Sequence, residues 1–443
     1  MINEFVSLVN NILWGDGQVL IIMLLACGIW FTVKLGGVQL RHFGHMFSLL
    51  KGSNTSTKDG ISSFQALCTS LSARVGTGNL AGVAGAISLG GAGAIFWMWM
   101  IALLGMATGF AESVLGQLYK VRDENGEFRG GPAYYIKQGL NKTWLAVAFS
   151  LCLFFGYGFV FSAVQANTIT DALNNAYSFP TEYVGLAIIA LAALIVVGGL
   201  KSIARFAEFV VPFMGIGYVL VALAITFINI SELPAMLLDI VKSAFGLQEA
   251  GAGALGAAIK NGIQRGLYSN EAGSGSVPHA AASAVPNPNH PVSQGYIQML
   301  GVFLDTLVLC TSTAFIILLA GGSSSDQMEG IRLTQDAMSS HLGEGGTDFV
   351  AAAISLFAFT SVVANYAYGE SNLHMFKLDN KIGRAVYTIG YLGMIYWGAQ
   401  AALPQVWAMA DMALGLMTVI NIIAIVWMTP TIVSISKDYF KKK

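Results

Sequence analysis

The chain has 443 residues, a mean hydropathy of +0.64 and only 11% charged residues, against roughly 25% in ordinary soluble domains. Its net charge of −1 gives no electrostatic footprint for nucleic acid. Cys27, Cys68, Cys152 and Cys310 lie far apart in apolar tracts, which reads as buried thiols and not as a disulfide or metal framework.

Residues 1–16 contain Glu4 and Asp16 but no lysine or arginine, and no small-x-small pattern follows the next apolar run, so no cleavable signal is expected. A spanning helix needs about 20 mostly apolar residues. Eleven such segments are predicted in chain order: 17–35, 61–90, 92–119, 143–170, 182–200, 206–229, 250–285, 293–320, 347–367, 383–400 and 405–435. The second and seventh are too long and too glycine-rich to be simple rods. Alternating strand patterns are absent, which excludes a lipid-facing barrel. The expectation is an all-α polytopic protein of the cell membrane with eleven transmembrane helices, its partner the lipid bilayer.

Charge sets the expected orientation. Lys34, Arg41, Lys51 and Lys58 follow the first segment, and Lys120, Arg122, Arg129, Lys137 and Lys142 follow the third. Lys201 and Arg205 follow the fifth, and Lys377, Lys381 and Arg384 the ninth. Lys437, Lys441, Lys442 and Lys443 follow the last. These are 18 of the 23 basic residues. The other side carries Lys242 and Arg332 among Asp171, Glu182, Glu232, Asp239, Asp326, Glu329 and Glu344. The N-terminus is therefore expected outside and the C-terminus in the cytoplasm. Arg74, Lys260 and Arg265 remain, in or beside the two unusual segments.

Those two segments resemble each other. Residues 74–82, RVGTGNLAG, and 265–273, RGLYSNEAG, share Arg, Asn, Ala and Gly at positions one, six, eight and nine. The second segment starts inside and the seventh outside, and each heads a group of five. Two inverted repeats are expected, 61–229 and 250–435, flanked by an extra helix with its loop (1–60) and a tail (436–443). Each repeat would open on a broken helix, the first interrupted near 76–79 and the second near 268–276. Gly76, Gly78 and Gly82 let the backbone leave the helix at low cost. A break frees N–H groups at one end and C=O groups at the other. In lipid these must face a ligand, water or protein. The N–H end attracts a carboxylate and the carbonyl end a cation.

The stretch GGAGAIFWMWMIALLG, residues 90–105, resembles the signature of the sodium:alanine/glycine symporters, as do SARVGTGNLAGVAG before it and GLYSNEAGSGSVPHAAA later. The resemblance covers the whole chain. It implies a leucine-transporter-type fold of ten core helices, here with one extra N-terminal helix, and cotransport of alanine or glycine with Na⁺ as coupling ion. It also implies that Gly76-Thr77-Gly78-Asn79 cradles the substrate carboxylate, with Val75 alongside and the Thr77 and Gly78 amides as donors. The fold's common Na⁺ site implies the Thr360–Ser361 pair together with carbonyls of Ser72, Val75 and Phe357. Hydroxyl and carbonyl oxygens suit a hard cation. Without a carboxylate in the set, the residues themselves leave Na⁺ or H⁺ open.

Other signals keep more than one reading. Arg74 is a gate, a partner of the substrate carboxylate or a clamp on freed carbonyls. Arg265 is its counterpart at the outer side, with Glu271, Asp305, Asp411 and Glu112 as candidate partners. Glu271 is a proton-sensitive group or half of an ion pair. Ser269, Gly273, Ser274, Gly275 and Ser276 line the site from the second repeat or form a close-packed polar seam. Gln165 reaches the substrate or bonds between helices. Gly76-x-Gly78-x-x-x-Gly82 has no preceding strand, so it is no dinucleotide fingerprint. The six histidines have no ligand spacing, and no Walker A sequence occurs. No cofactor is expected. A proton-coupled carrier and, behind it, a membrane-embedded enzyme are the alternatives.

Overall fold

The computed structural model describes residues 2–15, 18–54, 60–123, 126–247, 252–322 and 329–441. Lys58, Asp326, Lys442 and Lys443 of the charge pattern lie outside these, as do residues 16–17 and 250–251 at the edges of expected segments.

Helix dominates. α1 (Ile2–Trp14), α2 (Val19–Lys34), α3 (Val38–Arg41) and α4 (Phe43–Ser48) come first. The second expected segment is divided into α5 (Ser63–Arg74) and α6 (Val83–Gly90), joined through a widened, π-type turn at Gly78–Gly82. α7 (Gly93–Leu118) leads to a small antiparallel ribbon, β1 (Val121–Arg122) against β2 (Phe128–Arg129), and then to α8 (Pro132–Gly139). α9 (Thr143–Phe155) runs into α10 (Phe161–Tyr177) through a second widened turn, Gly156–Val160. α11 (Thr181–Val196), α12 (Gly199–Ile228) and α13 (Leu233–Ala244) follow. The seventh segment is divided into α14 (Ala252–Asn270) and α15 (Val277–Ser283). α16 (Pro291–Val302) and α17 (Thr311–Leu319) join through a widened stretch, Phe303–Cys310. α18 (Ile331–Leu342), α19 (Gly345–Met375), α20 (Lys381–Gln400), α21 (Leu403–Trp427) and α22 (Thr429–Lys441) complete the order.

Six of these runs are long and apolar enough to cross a membrane unaided: α7, α9–α10, α12, α16–α17, α19 and α21. The protein is an all-helical, multi-pass membrane protein. The other expected segments hold shorter or interrupted helices; α2 and α11 have 16 residues each. α1, α3, α4, α8, α13 and α18 lie outside the expected segments, and α22 begins inside the last of them and runs past its end. They are short and border or cap the longer helices, so a window tuned to spanning length passes over them.

Burial sorts the helices. Every residue of α7 from Gly105 to Gln117 is buried, as expected for a helix that is apolar nearly all round. α12 is the opposite case. Phe209, Phe213, Ile216, Leu220, Leu223 and Phe227 are exposed at spacings of three and four, one apolar face turned to lipid.

The breaks have local causes. α5 begins in a capping box: Gln65 N–H donates to Ser62 Oγ (3.1 Å) and Ser62 N–H donates to Gln65 Oε1 (3.0 Å). It ends after Arg74, where Val75 turns extended with φ −76° and ψ 92°. α14 ends in three left-handed residues, Glu271, Gly273 and Gly275, with φ of +57°, +96° and +86°. Such values stop a helix.

Candidate functional site

At Gly76 a Cβ would lie 2.4 Å from Ser361 Oγ and 2.6 Å from Gln165 Oε1, so glycine is what lets α19 and α10 close on the first break. Gly76 N–H donates to Asn79 Oδ1 (2.9 Å). The Thr77 amide and hydroxyl both donate to Gln165 Oε1, at 2.9 and 2.7 Å. A neutral amide oxygen from α10 thus holds the N–H end of the break.

Asn79 turns its Nδ2 the other way. It donates to Asp305 Oδ1 (2.8 Å) and lies 3.1 Å from Ser269 Oγ. Ser269 Oγ and Thr306 Oγ1 donate to Asp305 Oδ2 at 2.6 and 2.8 Å. Asn79 and Ser269, from the two interrupted segments, therefore meet on one buried carboxylate.

The five residues expected around the cation come together. Ser361 Oγ donates to the Val75 and Phe357 carbonyls, at 3.3 and 3.2 Å. Thr360 Oγ1 donates to the Phe357 carbonyl (2.8 Å), and Ser72 Oγ donates to the Thr360 carbonyl (2.8 Å). All five are buried. The donors are hydroxyl and carbonyl oxygens, which suits a hard monovalent cation.

The second break is occupied differently. Gly273 and Gly275 N–H donate to Glu112 on α7, at 3.1 and 3.2 Å. Ser274 Oγ donates to the Glu271 carbonyl (2.7 Å) and Ser276 Oγ to the Glu271 carboxylate (2.6 Å). Of the residues singled out in this segment, Ser269 reaches the first break; Gly273–Ser276 bond among themselves, Glu271 and Glu112. A small cavity lies between the two segments, bordered by Arg74, Tyr157, Gln165, Tyr268, Glu271 and Asn365. Its water-sized space is about 10 Å³, the room of one water molecule.

Arg74 is 2% exposed and makes no ion pair among the described residues. Its Nη2 donates to Gln298 Oε1 across 3.5 Å, while Nε and Nη1 have no hydrogen-bond partner. Arg265 pairs with Asp411, one of its four candidate partners, through two bonds of 3.0 and 3.1 Å. A separate cleft of about 390 Å³ is lined by α10, the start of α11, α18 and the α20–α21 junction, with Arg332 bound to Asp171 at 2.6 Å on its wall.

The ribbon packs against α15. Arg129 on β2 bonds Asp123 (2.9 Å) and Glu127 (3.0 Å) and faces Glu370 at 3.9 Å; Arg384 reaches Glu370 at 3.3 Å. Lys120 Nζ donates to the Ala284 carbonyl (2.7 Å). Burial, with Arg122 alongside, brings the Lys120 ammonium down to about 8. The ribbon cluster was missed in the sequence because its charges read as a solvated loop. Asp305 and Glu112 carried a signal as intramembrane acids, but their partners on other elements lie 36 to 309 residues away.

Two interrupted segments that border a small cavity, one of them joined to a cluster of hydroxyl and carbonyl oxygens, within an all-helical membrane protein, are the features of a solute carrier. Residues 1–443 match the model of the sodium:alanine symporter family, and the chain belongs to that family. It is 46% identical to the probable sodium/glutamine symporter GlnT of Bacillus subtilis, over 100% of this chain and 92% of the relative. It is 43% identical to the amino-acid carrier protein AlsT of the same organism, over 100% and 93%. It is 37% identical to the sodium/alanine symporter AgcS of Methanococcus maripaludis, over 98% and 97%.

Proposed function

We propose that the chain is a secondary active transporter that moves alanine or glycine together with Na⁺ by alternating access. It crosses the membrane eleven times in a leucine-transporter-type arrangement, N-terminus outside and C-terminus in the cytoplasm. Residues 61–229 and 250–435 form the inverted repeats, one rocking against the other around a fixed central site.

The observation that carries this reading is the joint at the first break. Carbonyls and hydroxyls of Ser72, Val75, Phe357, Thr360 and Ser361 converge on one side of it. Gln165 holds its Thr77 amide on the other. Na⁺ takes the oxygen set. The cargo carboxylate takes the Thr77 and Gly78 amides, displacing the Gln165 oxygen from Thr77, and Ser269 and Asn79 border the same site. Arg265 with Asp411 closes the outer side, and Arg74 with Glu271 borders the cavity as the inner group. Nothing in this scheme is chemically transformed, so the protein acts as a carrier and not as an enzyme.

Uptake of labelled alanine into proteoliposomes with an imposed Na⁺ gradient tests this. Accumulation should require inward-directed Na⁺ and collapse when that gradient is dissipated. Uptake indifferent to Na⁺ but driven by a pH gradient would replace Na⁺ by H⁺, with Asp305 and Glu271 as the carboxylates at the site.

A further inference from the structure

Glu112 lies midway along α7 and is fully buried. Among the described residues no lysine or arginine forms an ion pair with it, and Arg74 acts on it only through space. Its surroundings are hydrogen-bond donors. Oε1 accepts the Gly273 amide at 3.1 Å. Oε2 accepts the Gly275 amide at 3.2 Å and Asn421 Nδ2 at 2.8 Å. Asn421 also donates to the Gly273 carbonyl (2.9 Å), and its Oδ1 accepts the Tyr135 hydroxyl. At Gly275 the left-handed φ leaves no room for a side chain, since a Cβ would fall 2.6 Å from Pro132 and 2.7 Å from Phe149. The backbone of the second break is therefore pressed onto a carboxylate that belongs to the protein.

We propose that Glu112 is a positioning residue for cargo binding. It supplies from within the protein the anion that the freed amides of the second break call for, and so pins that break to α7. Tyr268 and Glu271, just before the pinned glycines, are thereby held against the cavity, and Ser269 against Asp305. The two breaks then differ in kind. The first is held by a neutral amide, Gln165, which a carboxylate can replace because a charged acceptor binds N–H groups more strongly than a neutral one. At the second, the Gly273 and Gly275 amides already donate to the two carboxyl oxygens of Glu112 on a buried helix, so those amides are not open to the cargo carboxylate. The cargo enters in one direction, carboxylate toward the first break. This rests on the symport reading above.

The test is equilibrium binding to the purified full-length protein, with labelled alanine at saturating Na⁺ and with ²²Na⁺ alone. Glu112→Gln keeps the shape and turns one acceptor oxygen into a donor facing an amide. It should weaken alanine binding at least tenfold and leave Na⁺ binding within twofold of wild type. Glu112→Asp, which keeps the anion, should recover part of the loss. Asn421→Ala, which removes one donor, should weaken alanine threefold or more, and carries the same test should Glu112→Gln not yield folded protein. Alanine affinity within twofold of wild type in the folded variants overturns the proposal. So does an equal loss for both ligands, which would mark a general structural role. Wild-type alanine binding that ignores Na⁺ would instead sink the symport reading, while the Glu112 comparison would still be read from alanine alone.

Discussion

Arg265 and Asp411 face each other through two parallel hydrogen bonds of 3.0 and 3.1 Å, with the Arg265 guanidinium 4.4 Å from the Trp407 ring. Trp14 of α1 donates to the Asp411 carbonyl at 3.1 Å, so the N-terminal helix braces the same pair. Both charged side chains are about nine-tenths buried, at 12% and 10% exposure. Removing one partner of a buried pair typically costs roughly 3–5 kcal/mol, and the residual exposure here points to the low end. Asp411→Asn should lower the melting temperature in detergent by several degrees. Arg265→Lys should lose part of that, because lysine cannot make the two-pronged contact. An unchanged melting temperature in both variants would deny the pair a closing role.

Gln165→Glu places a carboxylate where Thr77 now donates to a neutral oxygen. A resident anion there should compete with the cargo's own carboxylate. Alanine binding is expected to fall by about a hundredfold, or about 2.7 kcal/mol, with ²²Na⁺ binding retained. Gln165→Ala, which leaves the amide free, should bind alanine better than Gln165→Glu does. The reverse order would remove the Thr77 amide from the carboxylate site.

Thr360→Ala deletes one hydroxyl of the oxygen set. The Na⁺ concentration for half-maximal uptake should rise about tenfold, or about 1.4 kcal/mol. Alanine binding at saturating Na⁺ should be nearly unchanged. A Na⁺ titration of uptake decides it, and a normal Na⁺ dependence would misplace the cation.

Two glycines give opposite expectations under the same substitution. Gly275→Ala forces a Cβ into Pro132 and Phe149 at a φ of +86°, and should abolish recovery of folded protein. Gly85, inside α6, has nothing within 4 Å of its would-be Cβ. Gly85→Ala should stabilise by up to about 1 kcal/mol. Detergent-solubilised yield and melting temperature measure both. Equal tolerance would mean the second break is not the tight turn described.

Hydropathy and glycine placement located the long helices but not the short ones. Each of the eleven expected segments contains a helix or an interrupted helix, because span length and apolarity are local properties of the chain. Ser72, Val75, Phe357, Thr360 and Ser361 were named from a family pattern, and in the fold they lie within hydrogen-bond reach of one another. The short helices α1 and α18 escaped because neither is long enough to read as a span. Yet α1 braces Asp411, and Thr334 of α18 donates to the Leu80 carbonyl at 3.2 Å, at the end of the first break.

The sequence by itself determined where the chain leaves its helices, since glycine and left-handed backbone are fixed by residues a few positions apart. Only the tertiary structure decided what meets the freed groups: Gln165 at the first break, Glu112 at the second, Asp411 rather than Glu271, Asp305 or Glu112 for Arg265. A hydrogen bond acts over about 3 Å, and these partners are 88, 161 and 146 residues apart along the chain. The packing of helices brings them within that reach.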